Sequence, residues 1–213
     1  MNFTNLINRI SSAPVFETGE LLAGEVDPFE IRKQLSRWAA AGKIYQLRRG
    51  LYTLAPPYQK INPHPFLIAN RIQHASYVSL QSALAYYGLI PERVPMTTSV
   101  TTGRPLLQKT PLGEYQFRHI QTDWFQAYLK IDLGLGQTAF VATPEKALLD
   151  LIYLEPNSET PAFLLELRLQ NMGRLDLDQL LQLVRNALKP KLTRAYEEIH
   201  RLAVEEISGY ETL

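Results

Sequence analysis

The chain has 213 residues, 46% hydrophobic and 20% charged, with a formal net charge of +1; this suits one large domain, or a small and a medium one, and excludes a disordered polyelectrolyte. There is no cysteine, which excludes disulfides, thiolate zinc sites, iron–sulfur clusters and thiol catalysis. The first nine residues lack the apolar core of a signal peptide, and no run of about eighteen apolar residues occurs, so the sequence predicts a cytoplasmic protein with no membrane partner.

In chain order, Asn5 to Ser12 carries Leu6, Ile7 and Ile10 at helical spacing and predicts a first short helix, ended by Pro14. Glu17 to Ala23 reads as a second, weakened by Gly19 at about 1 kcal/mol relative to Ala. Ala23-Gly24-Glu25-Val26 comes next as a turn. Asp27-Pro28-Phe29-Glu30 is a helix start: Asp27 caps, Pro28 takes the first helical position, and Glu30 reaches back to the cap amide. This third helix runs to about Ala41, with Gly42 as its stop. Ile31, Leu35, Trp38, Ala39 and Gly42 fall on one face; Phe29, Lys33, Ser36, Arg37 and Ala40 fall on the other, with Arg32 at the border.

Ile44 to Leu47 and Leu51 to Leu54 are β-prone runs around Arg48-Arg49-Gly50, a hairpin with two arginines at its tip. The charge is uneven in the same place. Residues 28–60 hold seven bases against one acid, whereas residues 1–27 hold one base against four acids. Helix, helix, basic helix and basic hairpin is the order of a winged helix-turn-helix, whose third helix suits a major groove and whose hairpin suits phosphate or a minor groove. The predicted DNA-binding residues are Arg32, Lys33, Ser36, Arg37, Arg48 and Arg49.

Residues 56–65 hold four of the fourteen prolines and read as a stiff linker. Beyond it, Phe66 to Gln73 reads as a helix, and Ser79 as the N-cap of a helix over Leu80 to Tyr87 that Gly88 stops. Thr97 to Thr102, Glu114 to Ile120 and Gln137 to Ala142 read as strands. Thr143-Pro144-Glu145 opens a helix through Tyr153, and the chain is helical from Ala162, with breaks at Asn171-Met172-Gly173 and Lys189-Pro190. The fold class expected is α+β: a winged helix-turn-helix over 1–55, the linker, and a mixed α/β domain over 66–213 with a helical C-terminal tail.

No catalytic, metal or cofactor site is legible. His64, His74, His119 and His200 have no ligand spacing, and Gly134-Leu135-Gly136 lacks the rest of any nucleotide-binding fingerprint and reads as a plain turn. Asp132, Glu145 and Lys146 form the residue set of a metal nuclease, but an acid in the first turn of a helix is already favoured by the helix dipole, so a non-enzymatic protein is expected.

Three segments carry a resemblance. Tyr77-Val78-Ser79-Leu80-Gln81-Ser82-Ala83-Leu84-Ala85-Tyr86-Tyr87-Gly88-Leu89, together with Leu47-Arg48-Arg49-Gly50-Leu51-Tyr52 and Val141-Ala142-Thr143-Pro144-Glu145-Lys146-Ala147-Leu148-Leu149-Asp150-Leu151, resembles the AbiEi-like antitoxins of type IV abortive-infection toxin–antitoxin systems over about residues 5–155. The resemblance implies a transcriptional autorepressor that binds inverted repeats in its own promoter, with Lys33, Ser36, Arg37, Arg48 and Arg49 on the DNA, and an antitoxin acting against a nucleotidyltransferase-like toxin with or without direct contact. A stand-alone winged-helix regulator, sensing a ligand or protein through residues 66–213, is the alternative.

Overall fold

The structure is a computed structural model that describes residues 1–210 apart from 11, 24–26 and 93, with side chains through 206. The predicted turn at 23–26 lies mostly outside the described residues.

Helix α1 spans Phe3–Ile10. It starts two residues before the expected Asn5 because the Asn2 carboxamide oxygen accepts the Asn5 amide at 2.8 Å, a cap that apolar spacing alone does not reveal. The helix expected over 17–23 forms only in part. Strand β1 (Phe16–Glu17) takes its first residue, and the shorter helix α2 (Thr18–Leu21) follows. Phe16 pairs with Tyr52 and stacks on its ring, so a long-range partner overrides the local preference.

Helix α3 (Pro28–Ala40) begins as expected, with the Asp27 carboxylate accepting the Phe29 amide at 2.8 Å, and Gly42 stops it at φ +66, a conformation cheap only for glycine. Strands β2 (Ile44–Arg48) and β3 (Leu51–Leu54) form the expected hairpin. The first sheet has the order β1-β3-β2, all antiparallel, with a register shift between Gln46 and Arg48.

Residues 55–64 are anchored at points, with Ala55 and Pro63 buried and Pro56, Pro57, Lys60 and Asn62 exposed. The Tyr58 ring meets Phe3 edge-on at 4.9 Å, and the Gln137 side chain donates to the Asn62 carbonyl while accepting the His64 amide. Then come α4 (Pro65–Ile72), β4 (Ser76–Val78), α5 (Leu80–Tyr86), β5 (Thr97–Thr101), β6 (Leu106–Thr110), β7 (Gly113–His119), a 3-10 turn at Thr122–Trp124, β8 (Tyr128–Gly134) and β9 (Gln137–Ala142). The second sheet has six strands in the order β6-β7-β5-β4-β9-β8, parallel at β5/β7 and β4/β9 and antiparallel elsewhere. Helices α6 (Pro144–Leu154), α7 (Pro161–Glu166), α8 (Leu177–Ala187) and α9 (Pro190–Tyr210) complete the chain, with a 3-10 turn at Met172–Arg174.

The protein is thus mixed α+β. Strands β5, β7 and β9 lie where the sequence places them; β4, β6 and β8 are additions. Gly134-Leu135-Gly136 is the β8–β9 turn, with all three residues at positive φ.

Two apolar clusters form. Leu6, Ile10, Phe16, Ile31, Leu35, Trp38, Ile44 and Leu54 hold α1–α3 on one face of the small sheet. A larger cluster between the six-stranded sheet and its helices also includes Val15, Leu47 and Leu51. The hairpin therefore buries one face against its own helices and the other against the second body, and β3 is buried along its whole length.

Candidate nucleic-acid interface

Helix α3 is buried on one side only. Ile31, Leu35 and Trp38 are 1%, 0% and 8% exposed. Arg32, Lys33, Ser36 and Arg37 are all exposed on the remaining surface, and Arg49 is exposed in the β2–β3 turn. Among the described residues, Lys33 alone of these cations has a carboxylate partner, Glu30 at 3.7 Å, in a pair about half in water. Such a pair is worth at most about 1 kcal/mol, so it does not neutralise the face. Phe29 lies in the first turn and is 68% exposed, with the Lys33 ammonium 6.0 Å from its ring centre. The sequence puts Phe29 on this face without naming it as a contact, although the exposed ring beside Lys33 is its most apolar feature.

Arg48 is placed differently from the other five residues predicted for this site. Its side chain is 28% exposed, and its guanidinium donates to the Arg71 carbonyl at the end of α4, to the Arg49 carbonyl and to the Glu17 carboxylate. The cause is the register shift after Gln46, which interrupts the side-chain alternation of β2.

A second concentration of polar groups is fully enclosed. The Asp150 carboxylate, 0% exposed, accepts from the Lys146 ammonium, the Trp124 indole at 2.7 Å, the Ser79 hydroxyl at 2.7 Å and the Tyr77 hydroxyl at 3.1 Å. Lys146, also 0% exposed, lies 4.1 Å from the Trp124 ring centre. Burial pushes the Asp150 carboxyl above its ordinary range, opposed by Lys146, Ser79 and Tyr77. Burial also pushes the Lys146 ammonium down, opposed by Asp150. Ser79 sits where its α5 cap is expected, yet its hydroxyl bonds Asp150 and makes no cap. Its neighbour Leu80 is held at φ +57, a strained conformation that the packed junction enforces.

The nuclease-like set is not assembled. Asp132 is exposed on β8 and accepts the Gly134 amide, Glu145 accepts the Asp176 amide, and Lys146 belongs to Asp150. Among the described residues no group of three or more His, Cys, Asp or Glu side chains is placed to hold a metal ion. The imidazole of His64 caps α4 by accepting the Phe66 amide, and burial holds its pKa below the ordinary value, which keeps that nitrogen free to accept. No described helix is long and apolar enough to cross a membrane. A cleft of about 470 Å³ opens beside β5 and β7, lined by Gln81, Ile90, Met96, Gln116 and Phe163 among others.

No family model matches the chain, and no curated protein matches it either. Among solved structures, the crystal structure of the Rv2827c protein from Mycobacterium tuberculosis is similar in fold. The two are 14% identical, with 94% of this chain and 75% of that one covered, and a TM-score of 0.58. With that coverage, the likeness takes in both apolar clusters rather than one.

Proposed function

We propose that the protein binds double-stranded DNA, with α3 as the helix that enters the major groove and the β2–β3 turn as the wing. The observation that carries this is the row of exposed cations, Arg32, Lys33 and Arg37 with Ser36 between them, on a helix whose opposite face is buried. Arginine and lysine donate to guanine edges and to phosphate, serine to either, and an exposed phenylalanine such as Phe29 suits a thymine methyl group. The element order α1-β1-α2-α3-β2-β3, with its sheet order β1-β3-β2, supports a winged helix-turn-helix reading of residues 1–55.

The resemblance to AbiEi-like antitoxins extends the proposal to autorepression at inverted repeats in the protein's own promoter, and to relief of a nucleotidyltransferase-like toxin. Two of the three segments behind that resemblance supply Tyr77, Ser79, Lys146 and Asp150 to one buried network. The test is a titration against the upstream promoter fragment and a scrambled fragment at two salt concentrations. Salt-sensitive binding that prefers the promoter is expected, and equal failure with both fragments would overturn the DNA reading. Co-expression with the neighbouring toxin gene tests the second half, with unrelieved toxicity as the contrary result.

The cleft beside β5 and β7 favours a second reading, a stand-alone regulator whose DNA affinity responds to a small molecule. A shift in promoter affinity with a cellular small-molecule extract, in the absence of any toxin effect, would select it.

A further inference from the structure

We infer that Arg48 is a positioning residue: it ties the wing turn to α4 and β1, and so fixes where Arg49 points, without itself touching DNA. The functional half of this rests on the DNA reading above.

A guanidinium presents five N–H donors in a rigid fork, so it suits a joint between several fixed acceptors better than a flexible ammonium does. Here all three nitrogens are engaged. Nε donates to the Arg71 carbonyl at 3.2 Å, Nη1 to the Arg49 carbonyl at 3.0 Å, and Nη2 to Glu17 Oε1 at 3.3 Å. The Arg71 carbonyl lies in the last turn of α4, where helix carbonyls lack intrahelical partners and take an outside donor. Glu17 lies in β1, paired with Leu51 across the sheet, and its carboxylate also lies 3.4 Å from His74 Nε2. The turn is held from the other side too, since the Thr18 amide donates to the Gly50 carbonyl at 2.9 Å. Beneath it Leu47 and Leu51, both 0% exposed, belong to the larger apolar cluster. Arg49, next in sequence, has its side chain in water and no carboxylate partner among the described residues. The two adjacent arginines divide the work: one holds the turn and the other is presented by it. The larger body thereby sets the attitude of the wing.

The experiment measures promoter affinity of the full-length chain as a function of salt for the parent, Arg48→Gln, Arg48→Lys, Arg49→Gln and Glu17→Gln, with amide exchange of the Gly50 and Leu51 region measured alongside. Arg49→Gln should lower the magnitude of the log–log salt slope by about 0.9, one phosphate contact. Arg48→Gln should weaken binding by about tenfold, the equivalent of one charge-assisted hydrogen bond, with the slope unchanged. Arg48→Lys should not rescue it, because a lysine keeps the charge but not the fork. Glu17→Gln decides by sign. If Arg48 acts through Glu17, losing the carboxylate weakens DNA binding; if Arg48 grips phosphate, losing a nearby acid strengthens it. A reduced slope in Arg48→Gln, rescue by lysine, or tighter binding by Glu17→Gln overturns the assignment. Turn amides should exchange faster in Arg48→Gln while those of α3 do not, and unchanged exchange overturns the joint even where the parent binds no DNA. Absence of binding by the parent with faster exchange would remove the DNA reading and the presentation of Arg49 to DNA, leaving the joint.

Discussion

Arg37 and Lys146 are both cations on helices, and they could hardly be held more differently. Arg37 stands in water beside Arg32 and Lys33 with no carboxylate partner among the described residues. Lys146 has no contact with water, a carboxylate on its ammonium and an indole ring 4.1 Å away. A charge that is desolvated and fully partnered is accounted for by the fold, because removing its partner leaves an uncompensated buried ion. Like charges on an exposed helix face, of which Lys33 alone has a carboxylate partner among the described residues, are not accounted for by the fold in that way, and on the DNA reading proposed above they face phosphate and base edges. The two regions should therefore respond to mutation in opposite ways, one in stability and the other in binding.

The largest effect is expected at the buried network. Asp150→Ala strands the Lys146 ammonium and three further donors, and should cost about 3–5 kcal/mol in urea unfolding. Asp150→Asn keeps an acceptor oxygen and should cost less. A loss below about 1 kcal/mol for the alanine variant would erase the contrast with the surface, since it would fall within what an exposed ion pair contributes.

Next in size is the opposite result at α3. Arg37→Ala should leave unfolding unchanged within about 0.5 kcal/mol, as at surface sites generally. It should cost about 1–3 kcal/mol of promoter binding and relax base preference at one position, if the guanidinium reads a guanine edge. A destabilised variant with unaltered DNA affinity would place Arg37 with Lys146, as a residue the fold requires.

The faces of α3, its cap and its stop were legible because each is a local rule acting on adjacent residues: Asp27 before Pro28, a period of 3.6, and Gly42 at positive φ. The same holds for β5, β7, β9, the start of α6 and the breaks in the helical tail. Strand β8 was legible in principle, since Leu129, Ile131 and Leu133 alternate before a Gly-containing turn. Strands β1 and β4 were not, being two and three residues long and defined by partners more than twenty positions away, and β6, although it pairs with the adjacent β7, has no apolar alternation in Leu106-Leu107-Gln108-Lys109-Thr110. The exposed part of the candidate site obeys the helix period and could be read. The role of Arg48 could not, because it depends on α4 ending beside the hairpin, and the network around Asp150 joins residues more than seventy positions apart.

The larger body also holds two phenols wholly or partly out of water, Tyr115 buried and Tyr87 half-buried. Burial pushes the hydroxyls of Tyr87 and Tyr115 up to about 12 from an ordinary 10.0. The folded state holds these protons more tightly than the unfolded chain does, so the stability they lend is complete below pH 10 and is lost as pH rises through about 12. Unfolding midpoints should be insensitive to these groups near neutrality and should fall across that alkaline window, with less of a fall in Tyr115→Phe. A midpoint that declines equally in the parent and in this variant would mean that Tyr115 is not the group responsible.

The smallest expected effect tests the surface from its acidic side. Glu30 is the acid in the first turn of α3, and its pair with Lys33 spans 3.7 Å with both side chains about half in water. Its attraction to the helix N-terminus and to Lys33 together amounts to about 1 kcal/mol at most, screened further by salt. Glu30→Gln should therefore lower stability by only a few tenths of that figure, an amount set by exposed helix-surface pairs. Its effect on DNA should have the opposite sign to that of Arg37→Ala, because the substitution removes a like charge from the phosphates and releases Lys33. Affinity should rise slightly, more at low salt than at high salt. A fall in affinity would mean that Glu30 orients Lys33 toward DNA and that the pair acts as one unit. No change at any salt concentration would put the first turn of α3 out of reach of the phosphates and shift the contact toward Ser36 and Arg37, further along the helix.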